Sequence, residues 1–150
     1  MKPLIILVAT FVASLLIAKI FTGQGAYFLS GRIALSTMLI FTAVGHFVYS
    51  KGMTLMIPAF IPFKKGLVFL TGIIEILAAV GLLLTRLQHT TGWLLIIFFI
   101  LILPANVNAA MKKVDYQKGT TDGTGVSYLW FRVPLQLLFI AWVHFFAIIH

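Results

Sequence analysis

The sequence contains no cysteine and few charged residues, and only three of the charged residues are acidic. Without cysteine the chain forms neither disulfides nor thiolate metal sites, and it has no CxxC redox relay. Charged residues make up 9% of the 150 positions, whereas an ordinary soluble domain carries about 25%. Any chemistry that needs a carboxylate must therefore use Glu75, Asp115 or Asp122.

Apolar residues dominate what is present. Hydrophobic residues are 61% of the chain, and the mean hydropathy is +1.11. A soluble fold of this size could not bury so much apolar surface, so the composition predicts an integral membrane protein. The net charge of +8 would also suit a protein that binds nucleic acid. However, the basic residues lie in short segments between apolar runs, as membrane topology signals do, so we predict no nucleic-acid partner.

Five apolar runs are long enough to cross a bilayer as helices, which takes about 20 residues each. They predict an all-α membrane protein, an antiparallel four-helix bundle with an extra N-terminal transmembrane helix. Residues 1–29 would form that helix and its loop, and residues 30–150 the four-helix domain, with Ser30 as the N-cap of the second helix. The predicted spans are residues 3–21, 31–49, 66–85, 91–110 and 128–149.

The first apolar run has two interpretations. A basic start at Lys2 before an apolar run is typical of a signal peptide, but this run is long for one and no clear cleavage site precedes Gly31. We therefore predict a retained helix in a multi-pass protein of a cell membrane. The basic residues then favour a cytoplasmic N-terminus and an outer C-terminus; cleavage would leave four helices with both ends outside. The residues predicted to be outside are Lys19, Arg32 and Arg86, and those predicted to be cytoplasmic are Lys2, Lys51, Lys64, Lys65, Lys112, Lys113 and Lys118.

The connection KGMTLMIPAFIPFKK at residues 51–65 is apolar but too short to span a membrane. Pro58 and Pro62 break any helix there. We predict an interfacial or re-entrant segment on the cytoplasmic face, where it could act as a lid. The other long connection, residues 111–127, is polar and lacks the lysine and following helix of a phosphate loop.

Glu75 is the only acidic residue in a predicted span, about 13 Å from the start of its helix at 1.5 Å per residue. A lone carboxylate at this depth must be neutral, paired or solvated. It could be a protonated side chain that ties two helices together, or it could contact a ligand or accept a proton. Ionisable residues inside membranes are typically functional, so we favour the second interpretation.

Glu75 and further polar side chains, together on four helices, fall in the same half of the bundle and predict a polar pocket beneath the proline segment. Each has a structural explanation as well: His46 as an interhelical hydrogen-bond donor, Arg132 as a snorkelling side chain, and asparagine as a link between helices. Asn106 and Asn108 point about 200° apart, so we expect one of them to face the pocket. The candidate pocket residues are His46, Glu75, Asn106, Asn108, Arg132 and Gln136, with Pro58 and Pro62 in the lid.

Metal binding is not predicted. His89, His144 and His150 lie near the opposite face, but their spacing matches no compact ligand motif.

The same segments resemble the DoxX-like family of small membrane proteins in their order and spacing. They are GHF at 45–47, IPAFIP at 57–62, GIIE at 72–75 with GLL at 81–83, PANVN at 104–108 and RVPLQ at 132–136. The resemblance covers residues 31–149 and implies a four-helix membrane unit. Some relatives are linked to quinone-coupled sulfur oxidation or to membrane redox assemblies, and distant animal relatives act as assembly chaperones. The DoxX-like family has no settled catalytic residues, so the resemblance implies none for this chain. The residues that the resemblance maps onto a shared polar site are His46, Glu75, Asn106, Arg132 and Gln136.

Four functions fit these observations. The first is a membrane subunit that binds a quinone or another lipid-like ligand, with no covalently bound cofactor and with electrons supplied by a membrane or membrane-associated redox protein. The second is a scaffold or assembly chaperone whose polar residues serve stability. The third is an enzyme that uses Glu75 and His46 for acid–base chemistry on a lipid. A transporter is the fourth, although the internal repeats expected of one are missing.

Overall fold

A computed structural model describes residues 2–23 and 25–149. These residues form six α-helices, and their one pairing of extended backbone is an isolated bridge between Asp115 and Thr120. A 3₁₀ turn precedes the last α-helix and a π-helical turn follows it. The helices are α1 (Lys2–Thr22), α2 (Tyr27–Val48), α3 (Ser50–Met56), α4 (Lys64–Leu83), α5 (Gln88–Met111) and α6 (Leu129–Val143), with the 3₁₀ turn at Gly125–Tyr128 and the π-turn at His144–Ile148.

Five of the helical segments are long and apolar enough to cross a membrane, which confirms the predicted multi-pass architecture. They are α1, α2, α4, α5 and the continuous segment Gly125–Ile148. The prediction that Ser30 caps the second helix is wrong, because α2 begins at Tyr27 and Ser30 is buried inside it. Ser30 instead accepts a hydrogen bond from the Ser14 hydroxyl of α1 at 3.1 Å, a contact between helices that the spacing of apolar residues does not reveal.

The proline segment is partly helical. The seven residues of α3 follow α2 almost directly, and the helix ends before Pro58, as the missing proline N–H requires. Phe63 has a left-handed backbone with φ of 53° and turns the chain into α4. Gly52 of α3 lies so close to the Tyr116 carbonyl that a Cβ would be 1.9 Å from its oxygen. Contact with the polar loop therefore fixes α3 against the end of the bundle.

α2 is the central helix of the bundle and packs against both α4 and α1, while α5 packs against α6 and the π-turn. Leu35, Met38 and Leu39 of α2 join Leu82, Leu95 and Val143 in one core cluster. α1 lies at the edge, since Leu7 is its one buried residue among those described. The bundle therefore presents a large apolar surface, as expected for helices whose solvent is lipid.

The two ends of the bundle differ in their basic residues. At one end lie α3, the polar loop and the lysines of the two segments that join α2 to α4 and α5 to α6, and we call this the lysine-rich end. The opposite end holds the α1–α2 and α4–α5 connections and the π-turn, and we call it the Arg32 end. Aromatic rings from α1, α2, α6 and the π-turn pack edge-to-face or tilted at the Arg32 end, namely Phe11, Tyr27, Phe28, Trp142, Phe145 and Phe146.

Candidate functional site

His46 and Glu75 form a pair across the interface of α2 and α4. His46 Nε2 lies 3.5 Å from Glu75 Oε1, within ion-pair range but longer than an ordinary hydrogen bond. Gly72 allows this approach, because a Cβ at position 72 would lie 2.9 Å from the His46 Cβ. The Glu75 side chain is 6% exposed and that of His46 19%. The carboxyl is thus nearly sealed inside the bundle, while the imidazole reaches its surface.

The other ring nitrogen of His46 is held by α4. His46 Nδ1 lies 3.1 Å from the Val68 carbonyl oxygen and 3.0 Å from the Thr71 hydroxyl. The Thr71 hydroxyl donates its own proton to Val68 O at 2.8 Å, so its oxygen is left to accept. Both neighbours of Nδ1 are therefore acceptors, which requires Nδ1 to carry a hydrogen.

With Nδ1 protonated, the pair as a whole is neutral when it holds one further proton, on either His46 Nε2 or the Glu75 carboxyl. The imidazole is neutral if the proton is on the carboxyl, and the pair is ionic if the proton is on Nε2; the net charge is zero in both states. Such neutrality suits a pair inside a membrane, where an isolated charge is costly. Glu75 Oε2 is also buried but has no hydrogen-bond partner within residues 2–23 and 25–149. A buried oxygen in this condition costs about 1–3 kcal/mol unless another group satisfies it.

Asn106 and Gln136 form a second polar pair, between α5 and α6. Asn106 Nδ2 donates to Gln136 Oε1 at 3.4 Å, and Gln136 Nε2 donates to the Phe99 carbonyl. Both residues are buried, at 3% and 7% exposure. No hydrogen bond or ion pair among the described residues joins this amide pair to His46 or Glu75.

Asn108 contacts the proline segment. Its Nδ2 donates to the Met56 carbonyl oxygen at 2.6 Å, so both predicted asparagines make tertiary contacts, on different sides of α5. Next to this bond a groove of about 580 Å³ runs along α5 beneath Pro58 and Phe60. Pro62 is not among the residues that line it, and neither member of the His46–Glu75 pair is. The lining residues are Pro58, Phe60, Ile100, Leu103, Pro104, Val107, Asn108 and Met111.

Arg132 lies near the polar loop instead of near Glu75. Burial raises the pKa of Tyr116, and the Tyr128 phenol acts in the same direction, while the positive charge of Arg132 partly offsets them. Arg132 is half-buried and forms no ion pair with a described residue. In the same loop, a hydrogen bond from Thr120 lowers the pKa of the exposed Asp122.

The six predicted pocket residues thus fall into four groups: His46 with Glu75, Asn106 with Gln136, Asn108 with Met56, and Arg132 near Tyr116. Sequence analysis missed Val68, whose carbonyl oxygen is positioned by the backbone and leaves no trace in side-chain patterns. The spacing already indicates that Thr71 shares a helix face with Glu75, four residues later, but its contact with His46 follows only from the structure. Within the described part of the chain no three histidine or acidic side chains come together as metal ligands, and His150 lies outside that part.

The fold and the site define a class: a five-span helical membrane protein with an acid–base pair buried between two of its spans. Residues 35–147 match the model of a family described as a domain of unknown function, DUF8561. The match covers most of the chain, including all six candidate residues, so the chain belongs to this family. No curated protein and no solved structure matches the chain.

Proposed function

We propose that this protein binds a lipid-like molecule at the His46–Glu75 pair, and that the ligand presents a hydroxyl group to the unpartnered oxygen of Glu75. A quinone in its reduced, hydroxyl-bearing form, the quinol, is the best candidate, as a dissociable and not a covalent cofactor. The observation that carries the proposal is Glu75 Oε2, a nearly sealed carboxyl oxygen with no partner among the described residues.

The need for a hydroxyl follows from the protonation states of the pair. If Glu75 is protonated toward His46 Nε2, then Oε2 is a carbonyl-type oxygen; if Glu75 is ionised, Oε2 carries part of a negative charge. As long as the acid proton stays on Oε1, facing His46, Oε2 is an acceptor in both states, so a ligand that binds it must donate. A quinol or a lipid alcohol has such a donor, whereas an oxidised quinone has only acceptors.

The pair also suits proton exchange with the ligand. Its nearest polar atoms lie 3.5 Å apart, and the imidazole edge is more exposed than the carboxyl. A proton taken up at Glu75 could therefore move outward along His46, and histidine is the side chain best suited to gain and lose a proton near neutral pH.

Two features of the same half of the bundle support a ligand with an apolar tail. Seven of the eight side chains that line the groove on α5 are apolar, and the eighth is Asn108. Pro104 has no N–H to donate to the Ile100 carbonyl, which leaves an acceptor at the groove wall. A membrane lipid or the tail of a quinone would fit such a surface.

Several expectations from the sequence belong to the same proposal. They are a DoxX-like four-helix unit preceded by α1, a place in a cell membrane (the inner membrane in a cell that has two), and a cytoplasmic lysine-rich end. Electrons for a quinone would be exchanged with a membrane or membrane-associated redox protein, since the cysteine-free chain has no thiol to carry them.

A scaffold or assembly chaperone is the second candidate. It is favoured by the fact that the polar contacts join different helices: α2 to α4 through His46, α5 to α6 through Asn106 and α5 to α3 through Asn108. Side chains that link membrane helices produce this pattern without any ligand.

An enzyme doing acid–base chemistry on a lipid would use the same pair as the first proposal but would show turnover without a partner.

The proposal is tested by titrating the delipidated protein in mild detergent, without oxygen, with a short-chain quinol and with the matching quinone. We expect the quinol to bind about tenfold more tightly, the effect of one hydrogen bond to a buried acceptor. Glu75→Leu should abolish this preference. Glu75→Gln should keep it, because the amide NH₂ can face His46 Nε2 while the amide oxygen replaces Oε2.

Equal binding of quinol and quinone by the wild type would refute a donor-specific site. If neither compound binds and Glu75→Leu strongly lowers the melting temperature, the pair is a structural link and the scaffold function is favoured. Thr37→Val is the matched control, because the Thr37 hydroxyl bonds only to its own helix at Ile33 and should change neither result.

A further inference from the structure

A second buried polar group without a partner lies at the Arg32 end. The Nε and Nη1 atoms of Arg32 are both buried, and neither forms a hydrogen bond with a described residue. Arg32 is the sixth residue of α2, about 8 Å along the helix from its start. Arg32 is half-buried as a whole, and because guanidinium remains charged in proteins, its two buried nitrogens call for a countercharge or compensating hydrogen bonds.

All three side-chain carboxylates of this chain contact groups other than Arg32. Glu75 pairs with His46 inside the bundle. Asp115 lies 3.8 Å from Lys118, and Asp122 accepts a hydrogen bond from Thr120, both in the loop at the lysine-rich end. The three acids of the sequence are thereby accounted for. The countercharge of Arg32 must therefore be supplied from outside these side chains.

The backbone around Arg32 is held firmly. The neighbouring Gly31 accepts a hydrogen bond from Trp142 Nε1 at 3.0 Å and packs under the Phe146 ring, where a Cβ would come within 2.1 Å of it. One turn further, the Ser36 hydroxyl donates to the Ala79 carbonyl oxygen of α4 at 2.9 Å. Because residues 32 and 36 share a helix face, Arg32 lies on the side of α2 that faces α4 at Ser36.

The level of Arg32 in the bundle matches the membrane interface. Tyr27 is the first residue of α2, and Trp142 donates to Gly31, the residue before Arg32. Both rings belong to the aromatic cluster at this end, and such rings concentrate where lipid headgroups begin. The guanidinium fork binds two oxygens of a phosphate in parallel, a geometry that a single ammonium cannot reproduce.

We propose that Arg32 binds a phosphate group at this end of the bundle, and that the phosphate is the headgroup of a membrane phospholipid. The site is distinct from the His46–Glu75 pair and does not depend on what that pair binds. It would hold an anionic lipid against the seam between α2 and α4.

The test uses the full chain with a polar C-terminal tag, which keeps a terminal carboxylate away from the bundle. The protein is delipidated in neutral detergent, and native mass spectrometry then measures three probes: dioctanoyl phosphatidylglycerol, dioctanoylglycerol with the same tails but no phosphate, and inorganic phosphate. Arg32→Gln is compared with Arg86→Gln, which removes the same charge from an exposed turn at the same end.

We expect the wild type and Arg86→Gln to bind the phosphatidylglycerol alike, and Arg32→Gln to bind it about 10- to 100-fold more weakly. Arg32→Lys, which keeps the charge and loses the fork, should fall between them. The wild type should bind dioctanoylglycerol no more tightly than Arg32→Gln does. Displacement of the lipid by an equal concentration of inorganic phosphate would identify free phosphate as the ligand source instead.

Equal losses in Arg32→Gln and Arg86→Gln would overturn the proposal in favour of a diffuse effect of charge, as would full binding by Arg32→Gln. If Arg32→Gln does not fold, Arg32→Lys decides. Unchanged affinity of Arg32→Lys for the phosphatidylglycerol excludes a bidentate site. In either case the proposal requires that the wild type bind the phosphatidylglycerol more tightly than dioctanoylglycerol.

Discussion

Gln136 and Glu75, one from each polar pair, are buried to nearly the same extent in this bundle, yet the two pairs differ in chemistry. Gln136, at 7% exposure, uses its amide nitrogen on Phe99 and its amide oxygen on Asn106. Glu75, at 5% exposure, uses one oxygen on His46 and leaves the other without a described partner. The amide pair is closed, whereas the acid–base pair is open at Glu75 Oε2.

This difference shows that burial of polar groups in a membrane bundle does not by itself indicate a ligand site. An amide pair can satisfy itself between two helices, and it then contributes about 0.6 kcal/mol per interhelical hydrogen bond. An unpaired carboxyl oxygen at equal depth lowers stability until something binds it. Function is therefore best assigned to the pair whose hydrogen bonds are incomplete.

The largest expected effect comes from separating His46 from Glu75. Gly72→Ala places a methyl group 2.9 Å from the His46 Cβ and 3.2 Å from the Phe47 ring. The helices must move apart, which should destabilise the protein by about 1–3 kcal/mol and also release the ligand. Thermal unfolding in detergent measures the first effect and native mass spectrometry the second.

Gly66→Ala is the matched control on the same helix, because a Cβ at position 66 meets nothing within 4 Å. It should leave stability equal or higher, since alanine favours helix over glycine by up to about 1 kcal/mol. If both variants destabilise the protein equally, the loss reflects helix propensity and not the approach of His46.

Disrupting the Asn106–Gln136 pair should lower stability by a smaller amount and should leave ligand binding unchanged. Gln136→Leu removes two hydrogen bonds between α5 and α6, and we expect a loss of about 1 kcal/mol with the ligand fully retained. Asn106→Leu, combined with it in a double-mutant cycle, should add less than its own single effect, because the two share one bond. Ligand loss in Gln136→Leu would show that the two pairs form one pocket, as the sequence predicts.

The smallest expected effect is that of replacing Arg132. This replacement tests whether Arg132 belongs to the His46–Glu75 pair or to the Asn106–Gln136 pair. Its positive charge lowers a Tyr116 pKa that burial raises above 10.0, so Arg132→Gln should raise that pKa further. A raised pKa means that the fold favours the neutral phenol; its contribution to stability is complete below pH 10 and is lost as the pH rises through the folded value. Tyrosinate absorbance, with Tyr116→Phe to assign the signal, measures the shift, and a loss of ligand would contradict the placement of Arg132 outside the site.

The spans could be predicted from sequence because each apolar run is long enough to cross a bilayer by itself. Glu75 and His46 could be chosen for the same reason, since depth along a helix follows from counting residues. The division of one predicted pocket into separate contacts could not be foreseen, because it depends on how each helix is rotated about its axis. That rotation is set by close contacts such as Gly72 with His46 and Gly52 with Tyr116.

Two local features of the backbone also could not be predicted from the sequence. The π-turn that places Phe146 against Gly31 follows an unbroken apolar run with no proline or glycine to mark it. α2 starts four residues before the predicted Gly31, because residues after Ala26 continue the helix without a side-chain cap.

The central claim is that the open pair, and not the closed one, holds a ligand. The most direct measurement is native mass spectrometry with lipid identification on the wild type, Glu75→Leu and Gln136→Leu, all purified in the same mild detergent. Each variant replaces one buried polar side chain by leucine in the bundle. We predict one small molecule retained by the wild type and by Gln136→Leu and lost from Glu75→Leu. Equal retention by all three proteins, or retention by none, would contradict the account.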